Sequence, residues 1–159
     1  MFSFTYLIIW FVACSLVIYN VMSCPTTWIE YEDECYHFSY DQKSWSDAVE
    51  MCLLLGGGLV EIDDEDEQTF LQKKTADIGR MYWIGLNDID NEGQWTWNYT
   101  DSALNETSYT NWRPKNPDNF TSLDDCTLMF PSGQWVDIVC TFVSYYICEL
   151  DIIEVSVFG

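Results

Sequence analysis

An even set of cysteines beyond an uncharged amino-terminal stretch constrains this chain more than any other feature. Its first 23 residues, MFSFTYLIIWFVACSLVIYNVMS, contain no Lys, Arg, Asp or Glu and are almost wholly apolar. That is the pattern of a secretory signal cleaved before Cys24, with Val21 at minus three and Ser23 at minus one. The competing reading is a type II membrane anchor through residues 1–22, but the side that would face the cytosol carries no Lys or Arg. Either way the remainder lies outside the cytosol. Of the seven cysteines, Cys14 leaves with the signal. Cys24, Cys35, Cys52, Cys126, Cys140 and Cys148 then make three disulfides in an oxidising compartment, and spacing alone permits about 15 pairings. Zinc is the rival use of cysteine, yet the chain has one His and no C-x2-C pair.

Residues 24–150 are about one domain's worth of chain, followed by a short apolar tail at 151–159, DIIEVSVFG, which is expected to add an edge strand or simply to pack. No collagen-like tract, heptad run or Pro/Ser/Gly linker is attached. All Lys, Arg, His, Asp and Glu residues lie beyond the signal, so the net charge of −20 belongs to the mature domain. Such a surface repels phosphate backbones and anionic membranes, which excludes nucleic acid as a partner and membrane insertion after cleavage. It attracts cations, although solubility alone also explains an acidic secreted surface.

Local patterns divide the domain. CPTTWIEYEDECYHFSY predicts an amino-terminal hairpin pinned by a local Cys24–Cys35 bridge, with His37 as a packed strand residue. SWSDAVEMCLLLGGG predicts a helix started by Ser44 and Asp47, buried through Trp45, Val49 and Cys52, and stopped at Gly56. In DDEDEQTFLQKKTADIG the acids crowd the first turn of a second helix and Lys73 and Lys74 its later turns, with Phe70 and Leu71 inward. The helix dipole accounts for that acidic run without a ligand. MYWIGL and GQWTWNYT predict strands, the second with Trp95 and Trp97 on one face. Residues 98–134, rich in Asn, Asp, Pro and Ser, predict one long loop, and QWVDIVC and SYYICEL close the chain as strands.

WIGL at 83–86, GQWTW at 93–97, YTNW at 109–112, NPD at 116–118, DDC at 124–126 and WVD at 135–137, in that order among the cysteines, give the chain a family likeness. From Cys24 to Leu150 it resembles a C-type lectin-like domain of the long form. The resemblance implies an α+β fold: two helices beside antiparallel sheets, with a long calcium-binding loop region. It implies disulfides Cys24–Cys35, Cys52–Cys148 and Cys126–Cys140. The second would close a loop of about 97 residues, for which chain entropy suggests roughly 4 to 5 kcal/mol.

The resemblance also implies where calcium would bind. The family's principal site falls on Asn116, Asp118, Asp124, Val136 and Asp137, with Pro117 in the cis form. Calcium takes six to eight hard oxygen ligands, and Val136 offers none, so the expected set is Asn116, Asp118, Asp124 and Asp137. The same residues would hold sugar hydroxyls. Asp118 is similar to the galactose-selective version of the triplet, and Phe120 falls where an aromatic ring covers the apolar face of such a sugar. An auxiliary calcium position falls on Asp88, Glu92, Asn119 and Asp125. Asn98, Asn105 and Asn119 head N-glycosylation acceptors, the last inside the site itself.

The function implied is an extracellular lectin that binds glycans or glycoproteins through calcium. The alternative is a module that kept the fold, lost the sugar at Val136 and binds a protein independently of calcium. An enzyme is disfavoured. The neighbouring acids Asp124 and Asp125 cannot flank a glycosidic bond from opposed walls, and no nucleophile with a partner His is evident.

Overall fold

The computed structural model describes residues 23–152. Eight strands form one sheet system in the order β1(Ile29–Tyr31), β2(Glu34–Phe38), β8(Tyr145–Asp151), β4(Tyr82–Asn87), β6(Cys126–Met129), β7(Trp135–Ile138). β3(Gly58–Leu59) adds to β8 and β5(Thr96–Trp97) to β4. The pairings are antiparallel except β4 with β8, which run parallel. β8 therefore joins the two ends of the chain, pairing with the amino-terminal hairpin on one side and the centre of the sheet on the other.

Both predicted helices are present. In α1(Trp45–Leu54) the Ser44 side chain accepts from the Asp47 N–H, and Trp45, Ala48 and Cys52 are buried. Val49 packs at the edge of the same cluster. α2(Glu65–Ile78) is capped by Asp64, which accepts from the N–H groups of Asp66 and Glu67, and ends at Gly79 with φ 71°. That left-handed conformation suits glycine at a helix end. Lys73 and Lys74 stop short of the last turn, which holds no basic residue. Leu71 is fully buried, and Phe70 stacks on Tyr31 at a centroid distance of 4.2 Å.

Two extents differ from the sequence reading. Residues 98–134 are not one loop, because Cys126–Met129 forms the fully buried β6 between β4 and β7. The Thr96–Trp97 strand is shorter than GQWTWNYT suggested. Both differences come from tertiary pairing, which a local pattern does not register. The disulfides are Cys24–Cys35, Cys52–Cys148 and Cys126–Cys140, as the resemblance implied. His37 lies half-buried in β2, tilted against Trp28, and burial lowers its pKa. The signal or anchor segment, residues 1–22, and tail residues 153–159 lie outside the described residues. Among the described residues no helix is long and apolar enough to cross a membrane.

Tryptophans tie the loop region to the core. Trp135 is wholly buried, donates from Nε1 to Gln68 Oε1 at 2.8 Å, and meets the rings of Trp97, Tyr109 and Trp112. Trp112 also packs on Trp95. The chain around Trp112 is stitched to the same residue: Arg113 N donates to the Trp135 carbonyl and Trp135 N to the Asn111 carbonyl. Burial of such rings is among the largest single apolar contributions a domain of this size has. It holds the entrance to the segment from Asn116 to Asp125 against the start of β7.

Candidate functional site

The peptide bond between Asn116 and Pro117 is cis, and Lys115 and Asn119 on either side have positive φ, 80° and 43°. The resulting bend wraps residues 116–119 around the carboxylate of Asp137. That carboxylate accepts from Asn116 Nδ2 at 2.8 Å, from the Asp118 N–H at 2.9 Å and from the Asn119 N–H at 2.6 Å. Asp124 is held similarly, by the N–H and hydroxyl of Thr121 at 2.7 and 2.8 Å. Asp118 is exposed and turns one oxygen onto the Phe120 N–H. Phe120 itself is 88% exposed, so it is not a core aromatic. Val136 packs partly buried against the cluster around Cys126 and Leu128. Alternation along β7 turns it away from the face of Asp137.

Asp88, in the turn after β4, is 2% exposed. Its Oδ2 accepts from the Gly93 N–H at 2.7 Å, whereas its Oδ1 is buried with no hydrogen-bond partner. Asn119 Oδ1 is likewise buried and unpartnered. A buried acceptor left without a donor costs roughly 1 to 3 kcal/mol. Two such oxygens, both from the auxiliary set, are what a hard cation would satisfy. The Asp88 N–H donates to the Asp125 carbonyl at 3.1 Å, which ties the two halves of this set together. Burial pushes the Asp88 carboxyl up to about 6, Glu92, Asp125 and Asp137 add to the rise, and the Gly93 N–H opposes it. A positive charge at this position would relieve all three repulsions.

The loop carboxylates do not close into a group of three within 4.8 Å. Among the described residues the group that does is Glu34, Glu67 and Glu149, on β2, α2 and β8. The Tyr36 hydroxyl is in hydrogen-bond contact with Glu34 Oε2 and with Glu67 Oε1, the latter at 2.8 Å, its one proton serving one of them and a protonated carboxyl donating in the other. The Asp63 N–H donates to Glu67 Oε2 at 2.9 Å, and the Glu61 N–H to Glu149 Oε2 at 3.0 Å. Burial pushes Glu67 up to about 8 and raises Glu149 and Glu34 as well. The sequence reading assigned the acids around Glu67 to the helix dipole and missed this cluster. The available signal was spacing: Glu67, Leu71 and Thr75 fall on one helical face, and all three are buried.

Of the glycosylation acceptors, Asn98 and Asn105 are exposed. Asn105 Oδ1 accepts from the Thr107 N–H and hydroxyl. Asn119 instead turns its amide oxygen inward.

These features define a class: a disulfide-closed α+β domain that displays, beside one sheet edge, a bent loop rich in oxygen ligands. A family model described as the lectin C-type domain matches residues 41–150. The chain belongs to that family, whose domains in general bind calcium and carbohydrate. It is 37% identical over 131 residues to asialoglycoprotein receptor 1 of Mus musculus, covering 79% of this chain and 44% of that protein. It is 37% identical over 150 residues to a perlucin-like protein of Mytilus galloprovincialis, covering 91% and 94% of the two chains. The chain spans about half the length of several of the curated relatives that it matches. Among solved structures it is similar to the cow C-type carbohydrate-recognition domain of CD23, determined in the presence of a GlcNAc2Man3 oligosaccharide. That match has a TM-score of 0.74 at 35% identity, covering 81% of this chain and 96% of the other.

Proposed function

We propose that this chain is a secreted, calcium-dependent lectin with a preference for galactose-type sugars. The observation that carries the reading is the wrapping of Asn116, Asp118 and Asn119 around Asp137, beside an exposed Phe120. Asn116, Asp118, Asp124 and Asp137 would hold the principal ion, and Asp88, Glu92, Asn119 and Asp125 the auxiliary one. Bound there, calcium supplies open coordination positions for two neighbouring sugar hydroxyls. Asp118 accepts a hydrogen bond from a hydroxyl, and the Asn116 amide can donate or accept, each bond contributing about 0.5 to 1.5 kcal/mol. Phe120 covers the apolar face of the sugar. Single sites of this kind bind weakly, so useful avidity comes from several copies on one particle. The relative named asialoglycoprotein receptor 1 supports a glycoprotein partner by analogy.

A second reading, a protein-binding module without sugar, is favoured by Val136, whose side chain joins the apolar cluster and offers the ion nothing. Retention on immobilised galactose, with elution by EDTA or by free galactose, separates the two. The lectin reading expects retention that chelation releases, and no retention at millimolar calcium would sink it. Val136→Asn sharpens the comparison. Stronger calcium-dependent retention supports the sugar site, whereas unchanged retention with a lower Tm supports the protein-binding module.

A further inference from the structure

We propose that a second cavity, away from the calcium-ligand loop, binds a small aromatic carboxylate. It measures about 320 Å³ and lies between the carboxy-terminal end of α2, the amino-terminal hairpin and the start of β4. Among its walls are Phe38, Tyr40, Lys74, Ile78, Arg80 and Tyr82. That volume is at the lower end of small-molecule sites, enough for one or two fused rings.

Charge selects the ligand. The chain has only six Lys and Arg against 26 Asp and Glu, yet two of those cations line this cavity and no acid does. Neither Lys74 nor Arg80 pairs with a carboxylate among the described residues, where the ion pair formed is Lys43 with Asp41. Arg80 is held in place by stacking on the Tyr145 ring at 4.2 Å, and Lys74 lies 5.8 Å from the Phe70 ring centroid. Tyr82 is a fully buried wall residue, and its hydroxyl lies beside the Arg80 side chain. Burial raises its pKa, and Arg80, through its charge and a hydrogen bond, opposes the rise.

The contrast with the other end of the same hairpin is sharp. There a cavity of about 220 Å³ is walled by Glu32, Asp33, Glu34, Asp63, Asp64 and Glu67. Repulsion of an anion by those and other distant acids is screened beyond about 8 Å at physiological ionic strength, whereas the two cavity cations act at contact. A guanidinium matches a carboxylate through two parallel hydrogen bonds, and the apolar wall takes the ring. A carboxylate on an aromatic body meets all of these features, and a neutral isostere meets only the apolar ones.

The test uses the folded full-length protein in calcium-containing buffer, titrated calorimetrically with 2-naphthoate and, separately, with 2-naphthamide. The expected result is saturable naphthoate binding that is at least tenfold tighter than naphthamide, about 1.4 kcal/mol, and unchanged by galactose. Arg80→Gln with Lys74→Gln should weaken naphthoate at least tenfold. Lys74→Gln alone, on the helix surface, should weaken it several-fold with the circular dichroism spectrum unaltered. No saturation by about 5 mM, equal binding of the amide, or full affinity in the folded Lys74→Gln variant overturns the proposal. Competition by galactose also overturns it, since the ligand would then occupy the loop site.

Discussion

Asp137 accepts three donors from the bent segment, so its removal acts twice. It deletes one of the proposed calcium ligands, and it leaves the Asp118 and Asn119 N–H groups and the Asn116 amide without their acceptor. Asp137→Ala is expected to abolish galactose retention and to lower stability by about 2 to 3 kcal/mol, the scale of hydrogen bonds to a charged group. The disulfide core should survive, which the aromatic circular dichroism signal reports. Loss of that signal would mean that Asp137 is structural first. Asp88 gives a second prediction. Its carboxyl titrates at about 6, so protons compete with a cation for it across mildly acidic pH. Calcium affinity measured calorimetrically should fall by up to about tenfold per unit below pH 6, and Asp88→Asn should flatten that dependence while lowering affinity at pH 7.5.

At the level of elements, β3 is the tightest junction. It lies on β8 so closely that a Cβ on Gly57 would sit 1.9 Å from the Glu149 carbonyl oxygen, and one on Gly58 would meet the Tyr99 ring at 2.3 Å. Backbone cannot give way as a flexible side chain can. Gly57→Ala is therefore expected to destabilise the domain by about 3 kcal/mol or more, read as a lower midpoint in urea. The same junction positions the loop. Glu61, just beyond β3, accepts from the N–H groups of Tyr99 and Thr100 at 2.8 and 2.9 Å, which fixes where the chain leaves β5. A Gly57→Ala variant that still folds should show weakened galactose retention as well.

Over the whole molecule, the 26 acidic residues are unevenly placed, and some are buried beneath the hairpin. Glu67, raised by burial to about 8, keeps a proton in the folded domain that the unfolded chain releases near 4.5. Its contribution to stability is therefore fully present below pH 4.5 and lost as pH rises toward 8. In calcium-free buffer the unfolding free energy is expected to fall between about pH 5 and 8 by on the order of a few kcal/mol, read as a falling Tm. Glu67→Gln, whose single amide oxygen can serve either Tyr36 or the Asp63 N–H but not both, should lower stability at low pH and remove much of the slope. A Tm that rises across this interval would show that the cluster is ionised in the folded state.

Much of the architecture follows from local chemistry. Six cysteines, an even set, imply three bridges, caps and period mark both helices, and turn residues with clustered oxygens mark the candidate loop. Those signals survive in sequence because neighbouring residues act together: Ser44 with the Asp47 N–H, Asp64 with its own helix, Asn116 with Pro117 and Asp118. What tertiary structure alone decided depends on residues brought together from distant parts of the chain. β6 became a strand because β4 and β7 flank it. Glu34, Glu67 and Glu149 became one buried cluster because β8 threads between the hairpin and β4 while α2 packs beside them. Arg80 and Lys74 were left without a carboxylate partner among the described residues because the cavity walls around them hold no acid. Burial and charge environment are properties of such assemblies, and no window of sequence contains them.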